Sequence, residues 1–587
     1  MQNPDASTIG EVLIWQARHR PDKRALLHLE RGEHETESLT FAELHRRAWA
    51  IANVLEQNDL AGRRAILAYP SGLEYVAALF GCFYAGVIAV PVPVSSYGNS
   101  AARIRAIWSD AEAAAVLSVR SLIGGDTEQP NAIAGVQLPD VIRIATNEIS
   151  ASFETPGTGD HLPQRVEPGS LAFLQYTSGS TGNPHGVMLT HSNLMHNLRA
   201  LSQALHSSDS DIGVNWLPLY HDMGLIGSVL HAVYSGFFCA LMPPFSFIQK
   251  PIRWLRAISR YRASLSPAPC FAFGLCAQRY VPQRESGLDL SSWRAAICGG
   301  ETIRPQMLEK FAKTFASAGF RRNAIWPAYG LAEATLIATA PPAGAGLTTA
   351  ILPALAGETI GKSNSGNRQH TCCGQICGVQ RIEIVDPESC RRLPTGQVGE
   401  IWLQGGSVAA GYWNQLEGST TTFQAKLADE PEAGTWLRTG DLGFQSPDGL
   451  VVSGRRKEMI MIRGENYDPL DLEAVACDSH PSLSSSCAAA FSIDLEQGEA
   501  VVLVLECSDV SSNDLRDVAG SILKTVNRQF GLTIYDLVLI PGGLPRTTSG
   551  KIQRNRCKEL YRAGGLGALP AVHPALGHNR IQAQEIA

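Results

Sequence analysis

The amino-acid sequence predicts an α/β protein of more than one domain, and three observations carry that reading. The chain has 587 residues, more than one hydrophobic core normally supports. Short apolar runs alternate with helix-period stretches in its first part, the pattern of a doubly wound α/β layer. A strand-rich stretch then leads to a fresh helical start at Asp468, which opens a further unit.

Taken in order, Thr40 and Glu43 form a capping box ahead of Leu44, Ala48, Ile51, Ala52 and Leu55 at helical spacing, so an amphipathic helix is expected there. Residues 65–69 predict a short buried strand, 70–73 a turn, 74–85 a helix and 87–92 a second strand. The apolar run 76–94 approaches the length of a membrane span, but Gly81, Gly86, Pro91 and Pro93 interrupt it. A buried helix running into a strand is the better reading. The same style continues to about residue 340, after which 341–371 turns rich in Gly, Ala, Thr and Ser without strong periodicity, as an inserted segment or long loop does. Strand signals at 380–385 and 400–404 predict a small β subdomain ending near Gly454. Beyond it, Asp468 is placed to cap a helix with Pro469 at its first position and Leu470, Leu472 and Val475 following. Strands at 488–492 and 500–506, a helix over 513–530 and a strand at 533–540 complete a small α+β unit, and 564–587 is expected to be a loose tail.

Composition narrows the function. With 49 basic and 55 acidic residues and a net charge of -6, the chain lacks the clustered basic stripe that holds a phosphodiester backbone, which argues against nucleic-acid binding. The N-terminal residues show no basic segment followed by an apolar run, so a cytoplasmic protein is expected. Thirteen cysteines scattered along the chain do not form a paired framework and are expected to be reduced. His370, Cys372, Cys373 and Cys377 are a local cluster, but the adjacent Cys pair lacks the spacing that lets ligands wrap one zinc ion.

The strongest chemical signal is YTSGSTGNPHGV at 176–187, directly after the apolar run 171–174. A strand entering a Gly/Ser/Thr loop makes a phosphate cradle. Gly179 and Gly182 let the backbone approach a polyphosphate, while the hydroxyls of Thr177, Ser178, Ser180 and Thr181 add donors or reach a metal. It is not a Walker A loop, because no GK[ST] follows at the required spacing. Gly361, Lys362 and Ser363 do spell GKS, yet Ala356 stands where the first glycine would be needed.

Four further stretches follow: YGLAEATL (329–336), WLRTGDLG (436–443), SGRRKEMIMIRGENYDPLDLE (453–473) and LPRTTSGKIQR (544–554). In order and spacing the five resemble the adenylate-forming superfamily of acyl-CoA synthetases, nonribosomal-peptide adenylation domains and luciferases, over roughly residues 10–560. The resemblance implies a large N-terminal region (1–454) of two α/β subdomains plus a β subdomain, a hinge and linker (455–467), and a small α+β C-terminal lid domain (468–563). It also implies an enzyme that joins a carboxylate to AMP, using ATP and Mg²⁺. By the same resemblance Thr181 and Glu333 orient the metal, while Tyr329, followed by Gly330, Leu331 and Ala332, lies against adenine. Gly299, Gly300 and Glu301 would form the opposite wall, Asp441 would accept the ribose hydroxyls with support from Arg455, Lys457 would be the hinge, and Lys551 the lid lysine at the α-phosphate.

WLPLYHDMGLIG (216–227) and the stretches KPIRWLRAIS and YRASLSPAPCFAFGLC most resemble fatty-acyl-AMP ligases, which feed acyl chains to carrier proteins of polyketide and lipopeptide pathways. The partners implied are a fatty acid and the phosphopantetheine of a separate acyl carrier protein or synthase. Met223, Leu225, Ile226, Phe271 and Phe273 fit an apolar acyl tunnel and fit a core equally well. His221 and Asp222 fall near the junction of chain and nucleotide, where His221 either orients the carboxylate or serves structure. The segment 341–371 falls where these ligases carry an insertion that acyl-CoA synthetases lack, which argues against coenzyme A as acceptor. Two positions depart from the pattern: His185 replaces the usual lysine of the phosphate loop, and Cys270 stands where Asn is common.

Overall fold

The computed structural model describes residues 6–94, 100–123, 141–149, 166–177, 184–285, 287–351, 369–378, 381–462, 465–483, 487–495, 498–507, 515–541, 543–546 and 552–566. The chain divides into a large unit, chiefly Met1–Ala350 and His370–Thr439, and a smaller one, chiefly Ser453–Ala587 with Gly440–Leu442.

Two largely parallel sheets form the large unit. The first has the order Ile325–Pro327, Ala295–Cys298, Leu265–Ala268, Ile212–Asn215, Phe238–Leu241, Arg24–Glu30 and His34–Thr40, and only the last strand runs antiparallel to its neighbour. The second has the order Ile142–Ala145, Ala115–Ser118, Arg64–Leu67, Ile88–Pro91, Leu171–Thr177 and His185–Thr190, again parallel except for the final pair. Strands such as Ala115–Ser118 are buried at every position, which is why they read in the sequence as short unbroken apolar runs rather than as alternation.

The run 76–94 is a helix, Leu73–Ala85, closed by Gly86 in the left-handed region and followed by the strand Ile88–Pro91. Gly81 lets this helix lie against Phe41–Gln57: a Cβ there would stand 2.6 Å from Ile51 Cγ2. That partner helix begins at the capping box of Thr40 and Glu43, as its spacing predicts.

A four-stranded sheet, Arg381–Val385, Gly399–Gln404, Leu437–Ser446 and Gly449–Arg455, supplies the expected β layer. Of the segment 341–371, expected as an insertion or long loop, residues 341–351 and 369–371 are described. Its ends, Thr349–Ile351 and Gln369–Thr371, pair as a two-stranded sheet. Trp326 Nε1 donates to Pro341 O at 2.8 Å and Arg322 Nη2 to Leu347 O at 3.2 Å. Single contacts of this kind leave no periodic signal in a sequence. Residues 352–368 lie outside the described residues.

The smaller unit is a three-stranded sheet, Ala488–Leu495 antiparallel to Gly498–Glu506 and the latter parallel to Ile534–Ile540, with helices Pro469–Asp478, Leu515–Phe530 and Arg554–Arg562. Asp468 caps the first of these, accepting from Leu470 N at 2.8 Å. Both faces of the sheet are covered: Ala488, Ala490 and Leu503 pack to one side, Ala489, Phe491 and Val502 to the other. The stretch 455–467, expected as hinge and linker, holds a 3₁₀ turn at Arg456–Glu458 and a hairpin of Ile460–Ile462 with Glu465–Tyr467.

Candidate active site

Four adjacent parallel strands of the seven-stranded sheet end at the same edge, and each is followed by residues singled out in the sequence. Ile212–Asn215 leads to His221, Asp222 and Met223; Leu265–Ala268 to Phe271; Ala295–Cys298 to Gly299, Gly300 and Glu301; Ile325–Pro327 to Tyr329 and Glu333. The carboxyl edge of an open parallel sheet is where ligands of such folds bind. Neighbouring strands in register, Cys298 opposite Pro327, bring the turns 299–301 and 328–333 together, and Ala328 N donates to Cys298 O at 2.8 Å.

Glycine is obligatory in these turns. A Cβ at Gly330 would stand 1.7 Å from Leu336 O, one at Gly299 2.9 Å from Ala328 O, and Gly300 has a φ of 76°. The loop after Gly330 carries strain as well: Thr335, fully buried, sits at φ 69° and ψ -61°, a conformation a β-branched residue adopts only when its surroundings impose it. Asn197 imposes it. Its Nδ2 donates to Ala334 O and Ile337 O, its Oδ1 accepts from Ile337 N, and Thr335 Oγ1 donates to Ser407 O at 2.7 Å.

Glu333 rides on the 3₁₀ turn Ala332–Ala334, and its Oε1 accepts from Tyr412 Oη at 2.9 Å. Tyr412 was not singled out in the sequence. It arrives because 410–413 runs alongside the strand His185–Thr190, with Met188 N donating to Gly411 O and Trp413 N to Gly186 O. The same pairing sets the His185 ring 5.4 Å from the Tyr412 ring. His185, in place of a fixed cation, is thus two contacts from Glu333, and its buried Nδ1 has no hydrogen-bond partner. Thr177 ends one strand of the hairpin opposite His185, whereas Ser178, Gly179, Ser180, Thr181 and Gly182 lie outside the described residues, as does Lys551.

Among the residues expected at an acyl pocket, His221 is one-third exposed and its Nδ1 lies 3.6 Å from Asp222 Oδ1, which itself accepts from Met223 N at 2.6 Å. Met223 and Phe271 are partly buried, and Ile226 is wholly buried within a π-helical turn, Leu225–Leu230. Trp216 stacks on Phe247 at 3.8 Å and meets the edge of Phe271 at 6.3 Å. Glu301 Oε1 accepts from Phe271 N at 2.7 Å, so it caps the helix Cys270–Arg279 and ties the turn after Cys298 to that helix. Cys270, in place of Asn, keeps a polar contact by accepting from Arg304 N at 3.3 Å.

In the smaller unit, Asp441 is buried and accepts from Arg455 Nε at 2.9 Å, so the two residues expected at the ribose are paired with each other. Lys457 is exposed on the turn Arg456–Glu458. Arg554, at the end of one motif, grips Glu473, at the end of another, through Nε–Oε1 at 2.6 Å and Nη2–Oε2 at 2.8 Å, and reaches Glu458 at 2.6 Å. Their reciprocity was not legible in either motif alone. Beside them burial pushes the Asp468 carboxyl up to about 8, with nearby Asp471 adding to the shift.

The chain matches the AMP-binding enzyme family over residues 13–413 and belongs to that family. Within it, the chain is 38% identical to the medium-chain-fatty-acid–[acyl-carrier-protein] ligase JamA of Moorena producens, over 96% of this chain and 97% of the relative. It is 34% identical to the long-chain-fatty-acid–AMP ligase FadD26 of Mycobacterium tuberculosis, over 96% and 98%. The crystal structure of the Legionella pneumophila fatty acyl-adenylate ligase with acyl adenylate and pyrophosphate superimposes with a TM-score of 0.71 at 34% identity, covering 95% of this chain and 96% of the other. Among the described residues, no helix is long and apolar enough to cross a membrane.

Proposed function

We propose that the chain is a fatty-acyl-AMP ligase: it joins a fatty acid to AMP with release of pyrophosphate, then passes the acyl group to the phosphopantetheine thiol of a separate carrier protein. The observation that carries this reading is the shared sheet edge, which gathers a nucleotide-side pair of turns, Gly299–Glu301 and Tyr329–Glu333, next to an apolar side headed by His221, Met223 and Phe271.

In the first step the carboxylate oxygen attacks the α-phosphorus in line and pyrophosphate leaves, so negative charge gathers on the phosphoryl oxygens. The backbone of 178–182 would cradle the polyphosphate, Tyr329 would cover adenine, and Asp441 with Arg455 would take the ribose. Glu333, oriented by Tyr412, offers the hard oxygen that Mg²⁺ prefers, with Thr181 as its partner. Bound there, Mg²⁺ supplies charge neutralisation for the phosphates. His221 orients the attacking carboxylate, and Lys551 places a cation where charge develops. Rotation of the small unit about Lys457 then admits the thiol, whose sulfur attacks the acyl carbonyl as AMP leaves.

The reading is tested by incubating the chain with fatty acid, ATP and Mg²⁺, adding either coenzyme A or a phosphopantetheinylated carrier, and quantifying products by chromatography. Acyl-AMP and acyl-carrier with little acyl-CoA are expected. Efficient acyl-CoA synthesis would replace the ligase reading by that of an acyl-CoA synthetase.

A further inference from the structure

Two consecutive carbonyls ahead of His221 are held by side chains that belong to the six-stranded sheet and its helices rather than to the sheet that carries His221. Tyr75, on the helix Leu73–Ala85, donates its hydroxyl to Leu219 O at 3.0 Å, and Gln175, on the strand Leu171–Thr177, donates Nε2 to Tyr220 O at 2.7 Å. From the loop's own side, Asn215 Oδ1 accepts from Leu217 N at 3.0 Å, and His221 N donates to Pro218 O at 3.1 Å. Every residue of 217–221 is thus fastened through its backbone, while the His221 ring stays one-third exposed.

Of these holding groups, Gln175 is the one out of place. Strand alternation turns it to the same face as Phe173, which packs in the core that also holds Leu217 and Leu219. Gln175 is 3% exposed and polar in that setting. A carbonyl only accepts, so Tyr220 O fixes which end of the amide faces it, and Oε1 is left buried with no hydrogen-bond partner among the described residues. An apolar side chain would fill the place without an empty acceptor, which costs stability. What the amide adds is one directed bond between two segments. Two residues beyond Gln175 lies Thr177, where the strand leads into 178–182, and one residue beyond Tyr220 lies His221.

We propose that Gln175 is a positioning residue for adenylation: through its bond to Tyr220 O it sets His221, and with it the attacking carboxylate, at a fixed offset from the strand that leads into the phosphate cradle. Gln175 itself touches no substrate. The proposal rests on the adenylation reading above and adds to it the residue that aligns its two halves. In-line attack tolerates little misplacement, and a shift of about 1 Å can lower a rate about 10²-fold. The residues expected to bind ATP do not include His221, so loss of this bond acts on the rate of attack rather than on ATP affinity.

The test is fatty-acid-dependent ATP–pyrophosphate exchange for wild type, Gln175→Leu, Gln175→Glu, His221→Ala and the double variant Gln175→Leu/His221→Ala, with the thermal unfolding midpoint of each. Gln175→Leu should unfold close to wild type, because an empty acceptor goes with the lost donor. It should keep the KM for ATP and lose about 10- to 100-fold in kcat. In the His221→Ala background the same substitution should lower the rate no further. Gln175→Glu keeps the size of the native side chain and donates to Tyr220 O only as the neutral acid, so its rate should climb toward wild type as pH is lowered. A kcat for Gln175→Leu within about threefold of wild type, or a loss as large with His221→Ala as without it, overturns the proposal. So does a Gln175→Glu form that stays as slow as Gln175→Leu at every pH. Absence of exchange from wild type with every fatty acid would instead sink the adenylation reading itself.

Discussion

In the large unit, the turns after Cys298 and Pro327 are shaped by what is missing from them, whereas in the small unit a buried charged cluster ties distant segments together beside its apolar core. Gly299 and Gly330 leave no room for a Cβ, and Thr335 is held in a strained backbone by neutral hydrogen bonds, its own Oγ1 donating to Ser407 O and Asn197 Nδ2 donating to Ala334 O and Ile337 O on either side of it. The small unit instead buries Glu473 completely against Arg554, with Glu458 and Asp468 close by. Steric constraint fixes a loop in one place. A charged cluster joins segments distant in sequence, the turn Arg456–Glu458, the helix Pro469–Asp478 and the helix Arg554–Arg562.

The largest expected effect separates the two kinds of order. Glu473→Gln leaves the buried guanidinium of Arg554 short of its main partner and should destabilise the small unit by about 3–5 kcal/mol, read as an earlier denaturant transition while the large unit's transition stays in place. A common shift of both would mean that the cluster does not organise the small unit alone. Lys551→Ala should lower adenylation about 10²–10³-fold with the fold intact; a rate within about threefold of wild type would remove Lys551 from the site. Gly330→Ala forces a methyl into Leu336 O and should cost the large unit about 1–3 kcal/mol together with adenylation, leaving the small unit's transition untouched. Tyr412→Phe removes one hydrogen bond from Glu333 and should slow adenylation by about tenfold or less, partly relieved by raised Mg²⁺; an unchanged Mg²⁺ dependence would detach Tyr412 from metal binding. A separate expectation concerns pH. The Asp468 carboxyl holds its proton in the folded state up to about 8, but in the unfolded chain loses it near 3.8. Stability of the small unit should therefore fall as pH rises from about 4 to about 8, and Asp468→Asn, which keeps the helix cap, should flatten that decline. An equal slope in both forms would place the carboxyl's titration at its ordinary value.

The sequence made local order legible and left long-range order hidden, for a physical reason. The capping box at Thr40, the cap at Asp468 and the helix into strand over 73–91 each depend on neighbours along the chain, and each stands as its spacing predicts. The stretches 216–227, 270–273, 299–301 and 329–333 end up beside one another because each follows a strand of the same seven-stranded sheet. Tyr412 was invisible because only the pairing of 410–413 with His185–Thr190 brings it to Glu333, and Glu301 turns to Phe271 only because two strand ends lie side by side.

Whether the site activates fatty acids is tested most directly by fatty-acid-dependent exchange of pyrophosphate into ATP, measured for wild type and for Glu333→Gln with Mg²⁺ present. The account predicts exchange that requires a fatty acid and collapses in Glu333→Gln. Exchange absent from wild type with every fatty acid, or undiminished in Glu333→Gln, would contradict it.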